Sequence, residues 1–162
     1  MNTLDNPFQD LINLQVQLDK ISEQGKEIQS KSDQVEHRKK NLYEKIVKLE
    51  NKNIPIPAVM FDFLNKLMIE KDKRKELWIK WQKLEKKEKL INDYSESIGT
   101  QAFKNGVYKF SESQKNKIEI LLAEYEIVIS DKFNILTKRN DVLNEEIRLL
   151  EEIKEKINKI SN

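Results

Sequence analysis

The sequence predicts an all-α protein: an elongated, antiparallel three-helix bundle or coiled coil with an up-down-up topology. Two observations predict this fold. Apolar residues recur every seven positions along most of the chain, and only three glycines and three prolines occur among 162 residues. Charged residues make up 36% and apolar residues 38% of the chain, which is typical of long helices when the apolar residues are periodic.

The residues that interrupt helices cluster in a few places. They are Asp5-Asn6-Pro7, the segment Asn53-Ile-Pro-Ile-Pro57, and the stretch from Gly99 through Gly106 to Ser111-Glu112. A proline at the first helical position starts a helix, and each proline also disfavours helix in the residue before it. We therefore expect one domain over residues 1–162, with helices at about 8–52, 58–97 and 112–160.

Heptad columns on the first two helices define one narrow apolar seam each. The first helix carries Leu14, Ile21, Ile28, Val35, Leu42 and Leu49, beside a second column of Leu11, Leu18, Gly25, Ser32, Lys39 and Ile46. The second helix carries Met60, Phe63, Leu67, Glu70, Arg74, Leu77, Trp81, Leu84, Glu88 and Ile91. A seven-residue repeat of this length predicts a left-handed supercoil.

The third helix carries two adjacent apolar columns. One is Leu122, Ile129, Leu136, Leu143, Leu150 and Ile157, and the other is Leu121, Val128, Ile135, Val142 and Leu149. A stripe this wide can contact two neighbouring helices, which favours three helices packed within one chain. A long helical hairpin that dimerises into a larger bundle is the alternative, so a homodimer stays open.

Turns centred near residues 55 and 105 predict which residues face each other. Gly25 and Ser32 fall level with Trp78 and Trp81, and small residues there would make room for the indole rings. Tyr125 and Ile129 should lie close to the same level.

The same register predicts a charged layer of Lys39, Glu70 and Arg139, with Arg74 nearby. Charges at seam positions are costly unless they are paired, and such layers can fix helix register. We expect replacement of Glu70 by leucine to destabilise the fold.

Nothing in the sequence predicts an enzyme, a metal site or a cofactor. Cysteine is absent, which excludes thiol nucleophiles and thiolate ligands. The single histidine, His37, is expected at the surface without a positioned partner. Three scattered glycines cannot form a phosphate-binding loop. Carboxylate pairs such as Glu145-Glu146 and Glu151-Glu152 are expected to be solvated.

Charge is balanced overall at +2, but the middle of the chain is basic. Residues 54–110 hold 12 basic and 8 acidic groups, whereas residues 111–162 hold 9 and 11. One flank of the second helix carries Lys71, Lys75, Trp78, Lys86 and Lys89. Such a flank could hold phosphates and stack a base, although a solvated helix face is the plainer interpretation.

Two apolar clusters lie at the predicted turns. The first is Phe103, Val107, Tyr108 and Phe110, and the second is Ile54, Ile56 and Phe61, with Val59 and Met60. Either the 98–110 loop folds back to cap the bundle, or it forms an exposed patch on which a partner docks.

These features favour a non-enzymatic interaction or assembly scaffold, an adaptor or chaperone-like coiled coil that presents its tips and flanks to another protein. The alternative is a nucleic-acid-associated protein that binds phosphates through the basic middle helix. An inhibitor that occupies another protein's groove is a weaker third hypothesis. No secretory signal or membrane-spanning stretch is recognisable, so we expect a cytoplasmic protein without a membrane partner.

Overall fold

A computed structural model describes residues 7–161 and confirms the all-α three-helix bundle. Helix α1 spans Pro7–Asn51, α2 spans Ala58–Ala102 and α3 spans Glu112–Ser161. Two short strands, β1 at Phe103–Lys104 and β2 at Val107–Tyr108, connect α2 to α3. The predicted helices are therefore correct, except that α2 continues about five residues beyond its predicted end.

The connection from α1 to α2 begins with a left-handed turn. Asn53 has a φ of 58°, and the N–H of Ile54 donates to the carbonyl of Leu49 at 3.0 Å. A left-handed residue just after a helix satisfies the last free carbonyl groups of that helix. The Ile-Pro-Ile-Pro segment that follows is non-helical, as predicted, and packs the half-buried Ile54 and Ile56 against the core.

The connection from α2 to α3 is a β-hairpin that the sequence analysis missed. Asn105 and Gly106 both have positive φ, 53° and 78°, as the two central residues of a type I′ turn require. Phe103 pairs with Tyr108 across the two strands. The prediction of irregular structure from residue 98 is wrong for residues 98–102, which are helical.

Helix α3 starts with a capping box. The N–H of Gln114 donates to Ser111 Oγ at 3.2 Å, and the N–H of Ser111 donates to Gln114 Oε1 at 2.9 Å. This reciprocal pair satisfies amide groups that have no carbonyl partner in the first helical turn.

The helices form two compact units. The first comprises the described residues through Gln24 together with Ile79–Ile135, and the second comprises Gly25–Trp78 with the described residues from Leu136 onwards. Each unit holds one segment of each helix, and α1 and α3 run in the direction opposite to α2. Each unit has its own apolar core.

The predicted columns account for most of both cores. In the first unit the core includes Leu11, Leu18, Ile91, Ile98, Ile118, Leu121, Tyr125 and Val128. In the second unit it includes Val35, Leu42, Ile46, Leu49, Met60, Leu67, Leu143, Leu149, Leu150, Ile153 and Ile157. The column from Leu11 to Ile46 is buried throughout, including Gly25, Ser32 and Lys39. The double column on α3 is buried or half-buried at every position.

In the predicted tryptophan layer, the placement of Tyr125 is wrong: its hydroxyl bonds to Gln15 and to Asn92, which lies about three helical turns beyond Trp81 on α2. Because α2 continues to Ala102, the connection lies later in the chain than expected. Each α2 residue therefore faces an α3 position about two to three turns further along than predicted.

Candidate functional site

A polar column on α3 runs through the interior. Tyr125, Lys132, Arg139 and Glu146 follow one another at intervals of seven residues, and each has at most 1% of its surface exposed. Seven-residue spacing places all four on the α3 stripe that faces the core. Tyr125 and Arg139 were singled out from the sequence, but the column as a whole was not, because a pattern of apolar repeats does not reveal polar positions at the same spacing.

In the first unit, the hydroxyl of Tyr125 on α3 bonds to side chains of both α1 and α2. It accepts from Gln15 Nε2 at 2.9 Å, donates to Asn92 Oδ1, and lies 3.1 Å from Ser95 Oγ. Burial is the largest influence on the pKa of Tyr125, which is raised above its ordinary value. The neutral phenol is therefore the stable form here.

Lys132 is the second member of the polar column in the first unit. Its ammonium donates to Glu88 Oε2 at 2.6 Å and to Ser22 Oγ at 3.2 Å. It also lies 4.3 Å from the centroid of the buried Trp81 ring, within cation–π range. This side chain thus has an anionic partner, a hydroxyl and an aromatic face.

In the second unit, Glu146 is the centre of a layer that we call the glutamate layer: Glu146, Lys39, Arg74, Glu36 and Ser32. Glu146 has no exposed surface and accepts from Lys39 Nζ and Arg74 Nε, both at 2.9 Å. Arg74 also bonds to Ser32 and Glu36. A buried charged layer with Lys39 and Arg74 was predicted, but its acid is wrong: Glu70 instead pairs with the exposed Lys73.

The expectation that the Glu145-Glu146 pair is solvated is wrong for Glu146. Glu145 does point outward and pairs with Arg148, whose hydrogen bond is the largest cause of the lowered pKa of Glu145. Arg139 was predicted to join the charged layer, and it lies elsewhere. Its guanidinium carbon is 5.0 Å from the Trp78 ring centroid, and Nη2 donates to Gln29 at 3.0 Å.

Glu36 lies at the edge of the glutamate layer and is partly exposed. Burial alone would raise the pKa of Glu36. The hydrogen bond from Arg74 and the positive charges of Lys39, Arg74 and Lys71 outweigh burial, so the pKa is lowered. Glu36 therefore remains ionised and links the interior layer to the surface.

The buried carboxylate of Glu146 bonds to Lys39 and Arg74, and Glu88 bonds to the buried Lys132. His37 is exposed, as expected. Within residues 7–161, no three histidine or acidic side chains are grouped so that they could hold a metal ion. The layers have the character of register-fixing contacts between helices.

A groove on the outside of the second unit is the more promising site. This α1–α2 groove has a volume of about 860 Å³ and is lined by Glu36, Lys39, Lys40, Tyr43, Glu44, Val47, Lys48, Leu67, Met68, Lys71, Asp72 and Lys75. Its apolar strip is strongly exposed: Tyr43 is 41%, Val47 51% and Met68 61% accessible. Exposed apolar strips with charged rims are characteristic of binding surfaces.

The rim of the α1–α2 groove is mainly basic. Five lysines and three acids line it, and Lys39 and Glu36 bond within the glutamate layer. Lys71 lies 3.7 Å from Glu36, whereas within residues 7–161 no ion pair engages Lys40, Lys48 or Lys75. Several lysines are therefore open to solvent around an apolar strip.

The residues predicted as a nucleic-acid flank occupy different surroundings. Lys71 and Lys75 form part of the α1–α2 groove. Trp78 is half-buried, and one face of its ring carries the guanidinium of Arg139. Lys86 and Lys89 are exposed on the part of α2 that belongs to the first unit.

The predicted apolar clusters are partly covered. In the first unit, Phe8 lies 5.2 Å from Tyr108 and 5.5 Å from Phe110, measured between ring centroids. Phe110 packs against the core, whereas Phe103, Val107 and Tyr108 remain about half exposed. In the second unit, Ile54 and Ile56 pack against the core, and Phe61 is 45% exposed.

Across residues 7–161, none of the helices contains a stretch long and apolar enough to cross a bilayer.

The chain matches no protein-family profile, no curated protein and no solved structure. The candidate site therefore depends on the geometry of the α1–α2 groove itself.

Proposed function

We propose that this protein is a non-enzymatic interaction scaffold that binds another protein in the α1–α2 groove. The observation that carries the proposal is the strip of Tyr43, Val47 and Met68, which exposes apolar surface inside a concave, charged rim. Contiguous apolar surface rimmed by polar groups marks interaction sites more often than isolated apolar residues do.

The packing beneath the groove supports the proposal. Leu67 lines the groove and belongs to the core of the second unit. Lys39 also lines it, and its ammonium is bonded to the buried Glu146. The groove floor is thus part of the packed interior. Because its side chains are already ordered, binding loses little free energy in ordering them.

The apolar residues of the β-hairpin, together with Phe61, remain candidate secondary contacts of the same scaffold. The cytoplasm remains the proposed location. A homodimer is a further proposal, which sedimentation of the purified chain would test.

The decisive experiment compares two equally exposed apolar positions on α2, one inside the groove and one outside it. Met68 and Leu90 are both 61% exposed. A photoreactive amino acid placed at each position in turn should crosslink a defined partner from 68, and little or nothing from 90. Substitution Met68→Asp should abolish capture of that partner by tagged protein, and Leu90→Asp should preserve it.

Two results would contradict the proposal. Equal capture by the Met68→Asp and Leu90→Asp variants would show that the groove is not the binding surface. Loss of all captured material after nuclease treatment would favour the nucleic-acid alternative instead. Far-UV circular dichroism of both variants checks that each retains the helical fold.

A further inference from the structure

We propose that the occupant of the α1–α2 groove is an amphipathic α-helix that carries acidic residues beside its apolar face. This inference rests on the proposed function and names the chemistry of its partner. It follows from the shape of the groove, the hydrogen-bonding state of its walls, and the distribution of charge along its rim.

The shape suits a helix of three to four turns. On α1 the lining residues run from Glu36 to Lys48, a rise of about 18 Å at 1.5 Å per residue. On α2 they run from Leu67 to Lys75, antiparallel to α1. A helix laid along two antiparallel helices packs its side-chain ridges between theirs, as a fourth helix does in a bundle.

The walls of the groove favour a helix over an extended peptide. An extended peptide gains much of its affinity by adding main-chain hydrogen bonds to a sheet edge. Here both walls are continuous α-helices, whose main-chain groups bond within each helix. A helical partner already has its main-chain N–H and C=O groups hydrogen-bonded to one another, so it loses no main-chain hydrogen bonds when it enters such a groove.

The charge distribution indicates carboxylates on the partner. Lys40, Lys71 and Lys75 line the part of the groove near Glu36, which is shared among Arg74, Lys39 and Lys71. Glu44 and Asp72 also line the groove, but its five lysines outnumber its three acids. Tyr43, Val47 and Met68 provide the apolar contact. A helix with leucine-type residues at i, i+3 or i+4 and i+7, and with glutamates beside them, is complementary to both features.

Fluorescence anisotropy with three labelled peptides tests the proposal on the full chain. Each peptide is about 18 residues long, because shorter isolated helices are marginal in water. All share one leucine stripe. The first has glutamate flanks, the second has lysine flanks, and the third has glutamate flanks with two central prolines that prevent helix formation.

We expect the glutamate peptide to bind at least about tenfold more tightly than either of the other two peptides. The double variant Lys71→Glu/Lys75→Glu should weaken its binding about tenfold or more and strengthen binding of the lysine peptide. The matched control Lys86→Glu/Lys89→Glu makes the same charge change on the same helix outside the groove, and should leave both affinities within about twofold of wild type.

The outcomes separate this inference from the proposed function. Equal binding of the glutamate and lysine peptides overturns the acidic preference, and equal binding of the proline peptide overturns the helical occupant. If no peptide binds although position 68 crosslinks a partner, the inference fails and the groove's function stands. If no peptide binds and position 68 crosslinks no partner, both the inference and the proposed function fail. A mixed-sequence DNA oligonucleotide that binds more tightly than any peptide, and that both double variants weaken, replaces the inference with the nucleic-acid role.

Discussion

Replacing Glu146 by leucine should destabilise the second unit more than any substitution of an exposed acid. The side chain is fully buried and accepts from Lys39 and Arg74 at 2.9 Å each. Removing one member of a buried ion pair costs about 3–5 kcal/mol, because the remaining charge is left uncompensated. Glu36 bonds both cations and retains part of the compensation, so we expect a loss of about 3 kcal/mol in the free energy of unfolding.

Removing the whole charged set should have a much smaller effect. In the triple variant Lys39→Met/Arg74→Leu/Glu146→Leu no buried cation lacks its acid, and apolar side chains of similar size fill the layer. Such replacements are often neutral or stabilising, so we expect a stability within about 1 kcal/mol of wild type, or higher. Glu145→Leu is the control at a neighbouring position, where loss of a solvent-screened ion pair with Arg148 should change stability little.

Urea unfolding followed by far-UV circular dichroism measures all three differences. The comparison requires similar m-values, which indicate that the variants expose similar surface on unfolding. A Glu146→Leu loss below about 1 kcal/mol would refute the argument that the buried carboxylate compensates two cations. A triple variant as unstable as the single variant would refute it equally, since the loss would then come from packing.

Two further predictions concern the contact between Gly99 and Phe8 and the titration of Glu36. A Cβ added at Gly99 would lie 2.6 Å from the Phe8 ring, so Gly99→Ala should lower stability by about 1–3 kcal/mol through overpacking. In a Phe8→Ala background the same change should be neutral or gain up to about 1 kcal/mol of helix propensity, and thermal melts showing the same sign in both backgrounds would contradict the contact. Because the pKa of Glu36 is lowered in the folded state, its contribution to stability is present above about pH 4.5 and is lost as pH falls through the folded pKa. Unfolding titrations should therefore show a shallower acid-side loss of stability in Glu36→Gln than in wild type, and identical acid slopes would contradict this assignment.

Much of the fold could be predicted because heptad columns and rare breakers report it directly. The buried column from Leu11 to Ile46 and the double column on α3 needed only spacing. Gly99 was misleading, since a glycine that normally disfavours helix is here the position against which the Phe8 ring packs. Asn105-Gly106 was the signal for the β-hairpin, and its significance was missed.

The polar column was harder to predict from the sequence. Tyr125, Lys132, Arg139 and Glu146 have the composition of a solvated face, and only their spacing of seven between the apolar Ile118 and Ile153 marks them as interior. The charged layer was predicted with the wrong acid because the register depends on where α2 ends. A shift of a few residues in one turn changes the partner of every α2 position.

The α1–α2 groove could not be found from one helix at a time. Tyr43 and Val47 are four residues apart and share one face of α1, but Met68 belongs to α2. They form a strip only because two antiparallel helices meet at that level with their outer surfaces uncovered. Side chains from separate parts of the sequence create the site, so its recognition requires the tertiary structure.

The order of residues in the polar column disfavours packing of α3 in a shifted register. The apolar columns repeat every seven residues, so on apolar contact alone a slide of α3 by one heptad would cost little. The polar positions do not repeat. A slide that brings Arg139 into the place of Glu146 sets a third cation beside Lys39 and Arg74 and removes their fully buried acid, leaving only the partly exposed Glu36. Electrostatic repulsion thus disfavours α3 in a register shifted by one heptad. In the observed register, the buried cations bond to the buried carboxylate.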